Sequence, residues 1–551
     1  MAKWTARVPW LLGLLAVSLG AELLTNGGFE STSNWDCWGI QCTLTDNKHS
    51  GQHALEVTGS GYIRLLNDDN QGQTVQLEVN LKFEDNTDDY ATVAEHTGAR
   101  VSDGWIHLTG KFSAPDKAIK SARIYYQGPA PAVNFVVDET SVQSTSPSGA
   151  SPNVDDAINR LRKSDMHFPV TVTTAAGVDK RQVQIHIVQK KKAFPFGMAV
   201  GVPYYNNPGM TKYRDFIHQH FNWGVPGNAL KWYAIEGTQG ARNYKPALDF
   251  IDGLHRHGMK VRGHCLLWAV ESTVQSWVKA LSVDDLRKAI WHHVNDTLAM
   301  TAGCSRGCRG SLEHWDVNNE LLHGQWYENR LHDPNFTINL FRDVHKAAPN
   351  VKLFLNDYNV VANSYSTDAY LEQAKHFKAA NVGLYGLGAQ CHFGNEAEPD
   401  TNAIWQHLDK LAEAGLPIWA TELDVYARDE NRRADFYEKA MKALYSHHAV
   451  EGILLWGCWD REHWRGEPAS LLKGDNLDLT AAGRRVIDLL DRQWMTDVTR
   501  VLADAGDQFT VRGFHGDYEV HVLYQGRELP SLMKAVTLGK TPLDVNLNVH
   551  L

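Results

Sequence analysis

The segment Pro417-Ile-Trp-Ala-Thr-Glu-Leu-Asp-Val425 sets the pattern on which the fold prediction rests. Its residues up to Leu423 form an apolar, strand-like run. The amphipathic stretch Asn431–Tyr445 follows it, and a second apolar run, Gly452–Gly457, comes next. A strand, a helix and a strand in this order are typical of a protein that builds a parallel sheet from alternating elements.

The same alternation extends toward the amino terminus. The other predicted strands are Phe196–Val200, His220–Pro226, Lys260–Trp268, Leu312–Val317, Lys352–Asn356 and Leu384–Gln390. The other predicted helices are Lys212–His220, Ala247–His257, Val283–Ala299, Ala369–Ala380, Thr401–Ala414 and Ala481–Leu490. Eight β-then-α repeats over about 300 residues predict an α/β fold of the (β/α)8 TIM barrel type, which usually takes about 250. A doubly wound open sheet is the alternative, but no glycine-rich phosphate loop follows the first strand.

Other units flank this barrel, which we predict to span residues 154–492 with its amino-terminal lead-in. Residues 21–143 contain short alternating runs such as Thr74–Phe83 and hardly a helical stretch, which predicts an all-β sandwich module. The small, polar, proline-interrupted residues 144–153 predict a linker. Residues 493–551 contain further alternating runs and predict a small β accessory domain.

The first 20 residues have the features of a secretory signal peptide. Lys3 and Arg7 precede the apolar run from Trp10 to Leu19, which ends in small residues. This run is too short to span a bilayer, and no later segment is long and apolar enough. We therefore expect a secreted, extracellular protein without a membrane span.

Cysteine spacing fits an exported protein. The cysteines fall into two close pairs and three single positions: Cys37 with Cys42, Cys304 with Cys308, and Cys265, Cys391 and Cys458. Each close pair predicts a disulfide, and the single residues predict buried thiols. Asn295 and Asn335 begin N-glycosylation sequons.

The overall charge limits the class of partner. The chain has 551 residues, and 54 Lys and Arg against 64 Asp and Glu give a formal charge of −10. Without a long basic stripe, this balance argues against nucleic acid and anionic membranes as partners, and neutral ligands fit better. The 18 Trp residues suit stacking on sugar rings as well as core packing.

Polar residues gather at the carboxyl ends of the predicted strands, where the chemistry of a barrel collects. Strand four ends in Trp315-Asp-Val-Asn-Asn-Glu320, and strand seven ends in Ala420-Thr-Glu-Leu-Asp-Val425. Glu320 and Glu422 should therefore face one mouth. Hydrolysis of a glycosidic bond needs such a pair, because one carboxyl protonates the leaving oxygen while the other attacks or stabilises the anomeric carbon. The same rim gathers His264, Asn319, His392 and Trp456.

These segments resemble, in the same order, the motifs of glycoside hydrolase family 10, the retaining endo-β-1,4-xylanases. The matching segments are Asn228–Trp232, Gly263–Trp268, Trp315–Glu320, Gln390–His392, Ala420–Val425 and Leu455–Gly457, with Asp460 and Trp464. The match runs from about Ala193 to Leu490. The resemblance implies a barrel with a long glycan-binding cleft, double-displacement hydrolysis of plant xylan or a related β-1,4-glycan, no metal or cofactor, and a monomer.

The resemblance also implies residue roles. Glu320 would be the general acid/base and Glu422 the nucleophile, with His392 holding Glu422 and Asp424 supporting that histidine. The implied substrate-binding residues are Asn228, Lys231, His264, Trp268, Asn319, Gln390, Trp456 and Trp464. Glu422 and Asp424 share one strand face, so an imidazole between them would keep Glu422 ionised. Glu320 instead needs a raised pKa.

Three positions depart from the family pattern. Gly227 and Ala269 stand where Glu and His are usual, and Asn318 replaces a common apolar residue. The first two fall on the donor side of the cleft, so they predict altered sugar binding with turnover retained. A β-1,4-glucanase of relaxed specificity and a non-catalytic glycan-binding protein are the alternatives, and the intact carboxyl pair argues against the second.

The amino-terminal module has a resemblance of its own. Leu23–Glu30 and Phe135–Asp138 are similar to the first and last strands of secreted carbohydrate-binding modules. Such a module would hold the enzyme near an insoluble glycan. The predicted sugar-stacking platform lies among Trp35, Trp38, Tyr62, Trp105, Tyr125 and Tyr126. Trp38 and Trp105 fit a core position equally well.

Overall fold

The computed structural model describes most of the chain. The described residues are 35–36, 39–42, 55–67, 72–114, 119–130, 132–145, 152–173, 179–302, 312–363, 366–394, 396–502 and 508–551. The predicted signal peptide, most of the predicted linker, and Cys37, Trp38, Cys304 and Cys308 lie outside them. The two predicted disulfides and the side chain of Trp35 therefore have no structural account.

The amino-terminal module is built from two antiparallel sheets. Its strands are β1 (Trp35–Asp36), β2 (Gly39–Cys42), β3 (Leu55–Leu65), β4 (Gln73–Phe83), β5 (Asp88–Ala99), β6 (Ile106–Ala114), β7 (Ile119–Gln127) and β8 (Phe135–Thr145). One sheet has the order β1-β2-β7-β4-β5 and the other β6-β3-β8. Both sheets contribute to one apolar core that includes Ile63, Leu77 and Leu108. Strand β8 continues to Thr145, two residues into the predicted linker.

The next elements lead to a closed parallel barrel. They are α1 (Val154–Arg162), β9 (Lys163–Thr173) and β10 (Val183–Lys192). The barrel strands are β11 (Phe196–Ala199), β12 (Trp223–Val225), β13 (Lys260–Gly263), β15 (His314–Asp316), β17 (Lys352–Asp357), β18 (Leu384–Ala389), β20 (Ile418–Val425) and β21 (Val450–Leu455). Each pairs in parallel with the next, and β11 pairs with β21, which closes the ring. The (β/α)8 prediction is confirmed, strand by strand.

Three short strands extend the barrel at its carboxyl rim. They are β14 (Leu267–Trp268), β16 (Asn318–Asn319) and β19 (His392–Phe393). Strand β14 pairs with β16, and β19 pairs with β20. These pairings fix the backbone where the predicted polar residues emerge. A hairpin of β22 (Leu472–Lys473) and β23 (Asp478–Leu479) follows the last barrel strand.

Helices surround the barrel and cover its outer face. They are α2 (Val202–Tyr205), α3 (Thr211–His220), α4 (Trp232–Ile235), α5 (Lys245–Arg256), α6 (Ser276–Lys279), α7 (Val283–Thr301), α8 (Trp326–Leu331), α9 (Phe336–Ala347), α10 (Thr367–Ala379), α11 (Thr401–Ala412), α12 (Glu430–Tyr445) and α13 (Ala481–Asp488). Every predicted helix is present within a few residues of its predicted bounds. Helix α9 is not among the predicted helices, although its buried face at Phe336, Leu340, Phe341 and Val344 has helical spacing.

The carboxyl-terminal strands complete a second sandwich with the lead-in. They are β24 (Asp497–Val501), β25 (Gln508–Phe514), β26 (Gly516–Tyr524), β27 (Arg527–Glu528), β28 (Lys534–Leu538), β29 (Leu543–Asp544) and β30 (Leu547–His550). Strand β10 lies between β24 and β26, and β9 lies between β25 and the pair β29 and β30. The prediction groups β9 and β10 with the barrel, but their hydrogen bonds join them to residues 497–550. Alternation identifies a strand without identifying its partner.

Several smaller expectations have a structural outcome. Cys265, Cys391 and Cys458 are free and buried, as predicted. Asn295 and Asn335 are both exposed. In the part of the chain that the structure describes, no helix combines the length and apolar character needed to cross a membrane.

Candidate active site

Glu422 lies in the middle of the carboxyl rim as a buried acid held by polar groups. It sits on β20, and its Oε1 accepts a hydrogen bond of 2.8 Å from Asn356 Nδ2. His392 Nε2 lies 3.4 Å from its Oε2, and His264 Nε2 lies 4.0 Å from its Oε1. Burial alone would raise the pKa of Glu422, but His392, His264 and Lys231 lower it to about 2. Glu422 is therefore a carboxylate at neutral pH.

His392 is held between two carboxylates. Its Nδ1 lies 3.0 Å from Asp424 Oδ2, on the side of the ring opposite to Glu422. Asp424 is completely buried, and Trp464 Nε1 donates a hydrogen bond of 2.7 Å to its Oδ2. Burial would lower the pKa of His392, but Asp424 and Glu422 raise it to about 9. The imidazole is thus an imidazolium at neutral pH, and its charge stabilises the ionised form of Glu422.

Glu320 has the opposite electrostatic environment. It follows β16 with a left-handed backbone (φ 59°), a conformation that non-glycine residues adopt at a cost and that is frequent at functional sites. Trp268 Nε1 donates to its Oε2 at 2.7 Å, and Gln390 Nε2 donates to its Oε1 at 2.9 Å. Burial, and then the negative charges of Asp357 and Glu422, raise the pKa of Glu320. A raised pKa lets this carboxyl act as a proton donor nearer to neutral pH.

Asn356 joins the two sides of the site, and the prediction does not include it. Its Nδ2 donates to Asn319 Oδ1 and to Glu422 Oε1, both at 2.8 Å. Thr421 Oγ1 donates to Asn356 Oδ1 at 2.5 Å, which fixes the orientation of the amide. Asn356 and Asp357 end the apolar strand β17, so the strand-end rule that selects Glu320 also points to them.

His264 is oriented by a buried ion pair below the rim. Its Nδ1 lies 2.9 Å from Asp316 Oδ2, and Arg262 binds the same carboxylate. Asp316 and Arg262 are both buried. Because the carboxylate fixes the ring, His264 Nε2 faces the cleft and Glu422.

Aromatic rings form one wall of the cleft around a buried lysine. Lys231 Nζ lies 4.2 Å from the ring centroid of Trp268 and 5.9 Å from that of Trp456. The Trp456 ring meets His264 edge-on, with 5.2 Å between the centroids. Trp464 is 61% exposed although its indole N–H is engaged with Asp424. An exposed ring of fixed orientation suits stacking on a sugar.

The structure places Asn228 in a pocket beside the aromatic wall. It is exposed and lines a pocket of about 400 Å³, together with Gly227, Trp456 and Glu462. Gly227 has φ 45°, and a Cβ there would lie 3.0 Å from the carbonyl oxygen of Val200. This backbone favours glycine, so the local conformation explains the first departure from the family pattern.

The other two departures also have local partners. Ala269 is buried, and its backbone N–H donates to the carbonyl oxygen of Asn319 at 2.9 Å. Asn318 Nδ2 donates to Thr337 Oγ1 at 2.8 Å, and that hydroxyl in turn donates to Glu328. The Asn318 side chain is thus engaged with helices α8 and α9. It belongs to the packing around the barrel.

The geometry therefore brings an ionised carboxylate and a carboxyl of raised pKa to one rim. Residues 185–488 match the family model described as glycosyl hydrolase family 10. The chain belongs to glycosyl hydrolase family 10. The motifs of Glu320 and Glu422 both lie inside the matched region of this family 10 domain.

Relatives of the family 10 chain match beyond the barrel. Endo-1,4-beta-xylanase 2 and endo-1,4-beta-xylanase 3 of Arabidopsis thaliana are each 31% identical over 82% of this chain, and the alignments cover 40% and 58% of their own lengths. The anti-sigma-I factor RsgI6 of Acetivibrio thermocellus is 34% identical over 72% of this chain and 48% of its own length. The chain thus spans about half the length of the curated relatives it matches.

A solved structure aligns with part of the chain. The intracellular xylanase of Thermoanaerobacterium saccharolyticum is 25% identical, with a TM-score of 0.48. The alignment covers 57% of this chain and all of that one.

Proposed function

We propose that the chain is a secreted, monomeric endo-β-1,4-xylanase that cleaves internal bonds of plant xylan by double displacement with retention of configuration. The observation that carries the proposal is the opposite ionisation of two carboxyl groups at one rim, with Glu422 ionised and the pKa of Glu320 raised. Membership of family 10 and the names of the two Arabidopsis relatives support the substrate. The predicted signal peptide supports secretion.

The proposed reaction has two steps. Glu422 attacks the anomeric carbon while Glu320 gives its proton to the glycosidic oxygen, so that the C–O bond to the leaving sugar breaks and a glycosyl ester forms. The ester removes the charge of Glu422, so the pKa of Glu320 falls and the group can accept a proton. Glu320 then deprotonates a water that attacks the same carbon and releases Glu422. Asn356 holds Glu422 and Asn319 in one orientation throughout.

The stereochemistry of the first product tests this proposal. Xylo-oligosaccharides are hydrolysed in an NMR tube, and the anomeric protons are followed before mutarotation sets in. Double displacement gives the β-anomer first, whereas a single displacement gives the α-anomer. Initial appearance of the α-anomer would contradict the proposal, and absence of any new reducing end would favour the non-catalytic alternative.

The pocket beside Gly227 favours a second candidate substrate. Glucose differs from xylose by a hydroxymethyl group at C5, and the space of about 400 Å³ next to Trp456 is large enough to receive such a group. A β-1,4-glucanase of relaxed specificity is therefore the second candidate function. Initial rates on xylan, mixed-linkage glucan and carboxymethyl cellulose separate the two candidates. Rates on the glucans within about tenfold of the rate on xylan would support the second.

The acid side of the pH profile tests the effect of His392 on the pKa of Glu422. We expect His392→Gln to move the acid limb of kcat/KM to higher pH by about one to two units, because the buried Glu422 loses a cation that lowers its pKa. Activity falls on acidification because Glu422 becomes protonated, so a higher pKa of Glu422 moves this fall to higher pH. The profile is measured on xylotetraose from acid to neutral pH. His292→Gln, at an exposed histidine of α7, is the control, and an equal shift there would contradict the assignment.

We also propose that the amino-terminal module binds a glycan through the sheet that contains β4. Glu78 pairs with Tyr125 on one side and Thr92 on the other, and Asn80 pairs with Tyr90. Paired residues share a sheet face, so these side chains form one surface. Tyr90 is 64% exposed. The exposed phenol ring of Tyr90 suits stacking on a sugar, while Glu78 and Asn80 are buried beside it and are bonded to Thr92 and to the Asp89 backbone.

The predicted platform residues differ in their suitability for this role. Tyr126 donates or accepts a hydrogen bond with Thr140 beneath Gly61, so it lies between the sheets. Tyr62 lies in the other sheet, where it stacks on His107 of the paired strand β6. Tyr125 is a partly exposed ring beside Glu78, and Trp105, which is 42% exposed, immediately precedes β6 of the other sheet. We expect Tyr125→Ala to reduce retention on insoluble xylan while hydrolysis of xylotetraose is unchanged, and unchanged retention would contradict this role.

A further inference from the structure

The amino-terminal module contacts the barrel through a closely fitted surface. Asn329 of α8 accepts hydrogen bonds from the backbone of Gly72, at 3.0 Å, and from Arg100 Nη2, at 2.9 Å. Gln325 lies against Gly72 and Gly98, and a Cβ on Gly98 would lie only 1.7 Å from Gln325 Nε2. Two glycines of the module thus leave the room that one barrel side chain occupies. Such a fit is expected of a fixed interface.

Strand β5 of the module carries a carboxylate into this interface. Glu95 Oε1 lies 3.3 Å from His323 Nε2, and its Oε2 accepts a hydrogen bond of 2.5 Å from Gln76. The side chains of His323 and Glu95 are only 8% and 12% exposed. The His323 ring also stacks on Tyr358, with 3.7 Å between the centroids. The ion pair between module and barrel is therefore buried and held in one geometry.

His323 forms a second ion pair, with Asp357, on the side of the active site that carries Glu320. His323 Nδ1 lies 2.5 Å from Asp357 Oδ1. The other carboxylate oxygen of Asp357 accepts a hydrogen bond of 2.8 Å from the backbone of Leu322, in the turn that begins at Glu320. The backbone N–H of His323 donates to the carbonyl oxygen of Glu320 at 3.1 Å. Glu95 of the module thus contacts His323, a residue of the turn that carries the acid/base carboxyl.

Glu95, His323 and Asp357 form a row in which a histidine lies between two acidic groups. Burial would lower the pKa of His323, but Asp357 and Glu95 raise it to about 10. Burial would raise the pKa of Glu95, but the charge of His323, 3.3 Å away, and the hydrogen bond from Gln76 hold it below its ordinary value. At neutral pH Glu95 is therefore a carboxylate, and His323, between Glu95 and Asp357, is an imidazolium. Asp357 from β17 and Glu422 from β20 are nearby charges that raise the pKa of Glu320, and the Cys265 thiol beside it stays neutral because burial raises its pKa.

We infer that Glu95 is a positioning residue for the catalytic acid/base, and that the module is a fixed part of the catalytic unit. Glu95 holds the charged His323, and His323 holds Asp357 beside Glu320. The module then has a role besides glycan anchoring, because it completes the charge pattern around the proton donor. This inference rests on the proposed hydrolase activity, since it concerns how Glu320 gives its proton.

Two variants with opposite charge changes test the inference. Glu95→Gln removes a negative charge while Asp357 keeps His323 protonated, so the pKa of Glu320 falls and the alkaline limb of kcat/KM moves to lower pH. His323→Gln removes a positive charge, so the limb moves to higher pH. Shifts of about 0.3–1 pH unit are expected. On xylotetraose we also expect kcat to fall about three- to tenfold with KM within about twofold, because the acid is displaced rather than the sugar.

A matched control and a second substrate isolate the effect. Glu84→Gln removes an exposed carboxylate of the same module and should keep the wild-type profile. An aryl β-xylobioside with a nitrophenolate leaving group needs little protonation, so Glu95→Gln should slow it less than xylotetraose. A wild-type profile and kcat in Glu95→Gln, or shifts of the same sign in both variants, would overturn the inference. Wild-type turnover would in that case leave the proposed function standing.

Thermal unfolding gives a readout that needs no turnover. The folded pKa of His323 lies above its unfolded value, so its ion pairs add stability below about pH 6.5 that is lost as the pH rises through about 10. The fall in Tm between these two pH values should therefore be smaller in Glu95→Gln and His323→Gln than in Glu84→Gln. An equal fall in Tm in all three proteins would contradict the proposed ion pairs of His323 with Glu95 and Asp357, even if the wild type cut no xylan.

Discussion

Replacing Glu422 with glutamine is expected to lower kcat on xylotetraose by at least about 10⁴-fold. The amide has nearly the same shape as the carboxylate, but it has no negative charge with which to attack the anomeric carbon. His392 also loses one of the two carboxylates that hold its charge. The rate is measured from the reducing ends released, with KM determined separately to show that sugar binding is retained.

The control for this variant lies at the other end of the neighbouring strand. Glu451→Gln changes an exposed carboxylate near the amino-terminal end of β21, far from the carboxyl rim. It should leave the rate within about twofold of wild type. A Glu422→Gln protein that folds and keeps more than about one per cent of the wild-type rate would contradict the nucleophile assignment.

Replacing Glu320 with glutamine is expected to slow xylotetraose hydrolysis by about 10²–10⁴-fold. A sugar alkoxide is a poor leaving group, so the first step needs the proton that Glu320 supplies. A nitrophenolate leaves without that proton, so kcat/KM for an aryl β-xylobioside should fall by no more than about tenfold. Stopped assays on both substrates, at one pH and enzyme concentration, measure the difference.

Glu313→Gln is the matched control for the acid/base variant. Glu313 immediately precedes β15, at the opposite end of the strand that leads to Glu320. Both substrates should be cut at nearly the wild-type rate. Equal losses on the two substrates in Glu320→Gln would indicate a damaged cleft and would contradict the assignment of a proton donor.

The barrel follows from local sequence to a large degree. Apolar runs such as Ile418–Leu423 are buried on both faces in a parallel sheet, so they stand out from the amphipathic helices between them. Helix α9 had the same kind of signal, with Phe336, Leu340 and Val344 on its buried face. The repeat of one helix after each strand does not predict it, because this connection has the short helix α8 before α9.

The pairing of distant segments is less accessible to sequence. Strands β9 and β10 alternate in the way that any half-buried strand does, so nothing in them names residues 497–550 as their partners. The contact of Glu95 with His323 has the same character. Its geometry depends on how two units pack, and the two residues lie in segments whose local patterns carry no common signal.

The residues of the site also divide into those that local sequence identifies and those that only the fold brings together. Glu320 and Glu422 are visible in the sequence because the chemistry requires two carboxyl groups at strand ends. Asn356 also lies at a strand end. The need for an acid and a nucleophile does not point to it, because its amide holds Asn319 and Glu422 and does not itself react. Asp316 and Arg262 lie below the rim, and only the fold brings them to His264.

We propose that Glu422 attacks the sugar while Glu320 protonates the leaving group. A 2-deoxy-2-fluoro-β-xylobiosyl fluoride tests it most directly, because fluoride leaves readily while the fluorine at C2 slows hydrolysis of the ester that forms. Intact-mass measurement and peptide mapping then locate the added sugar. We expect one 2-deoxy-2-fluoroxylobiosyl group, esterified to Glu422 with loss of the anomeric fluoride. A label on any other residue, or no label on an enzyme that cuts xylan, would contradict it.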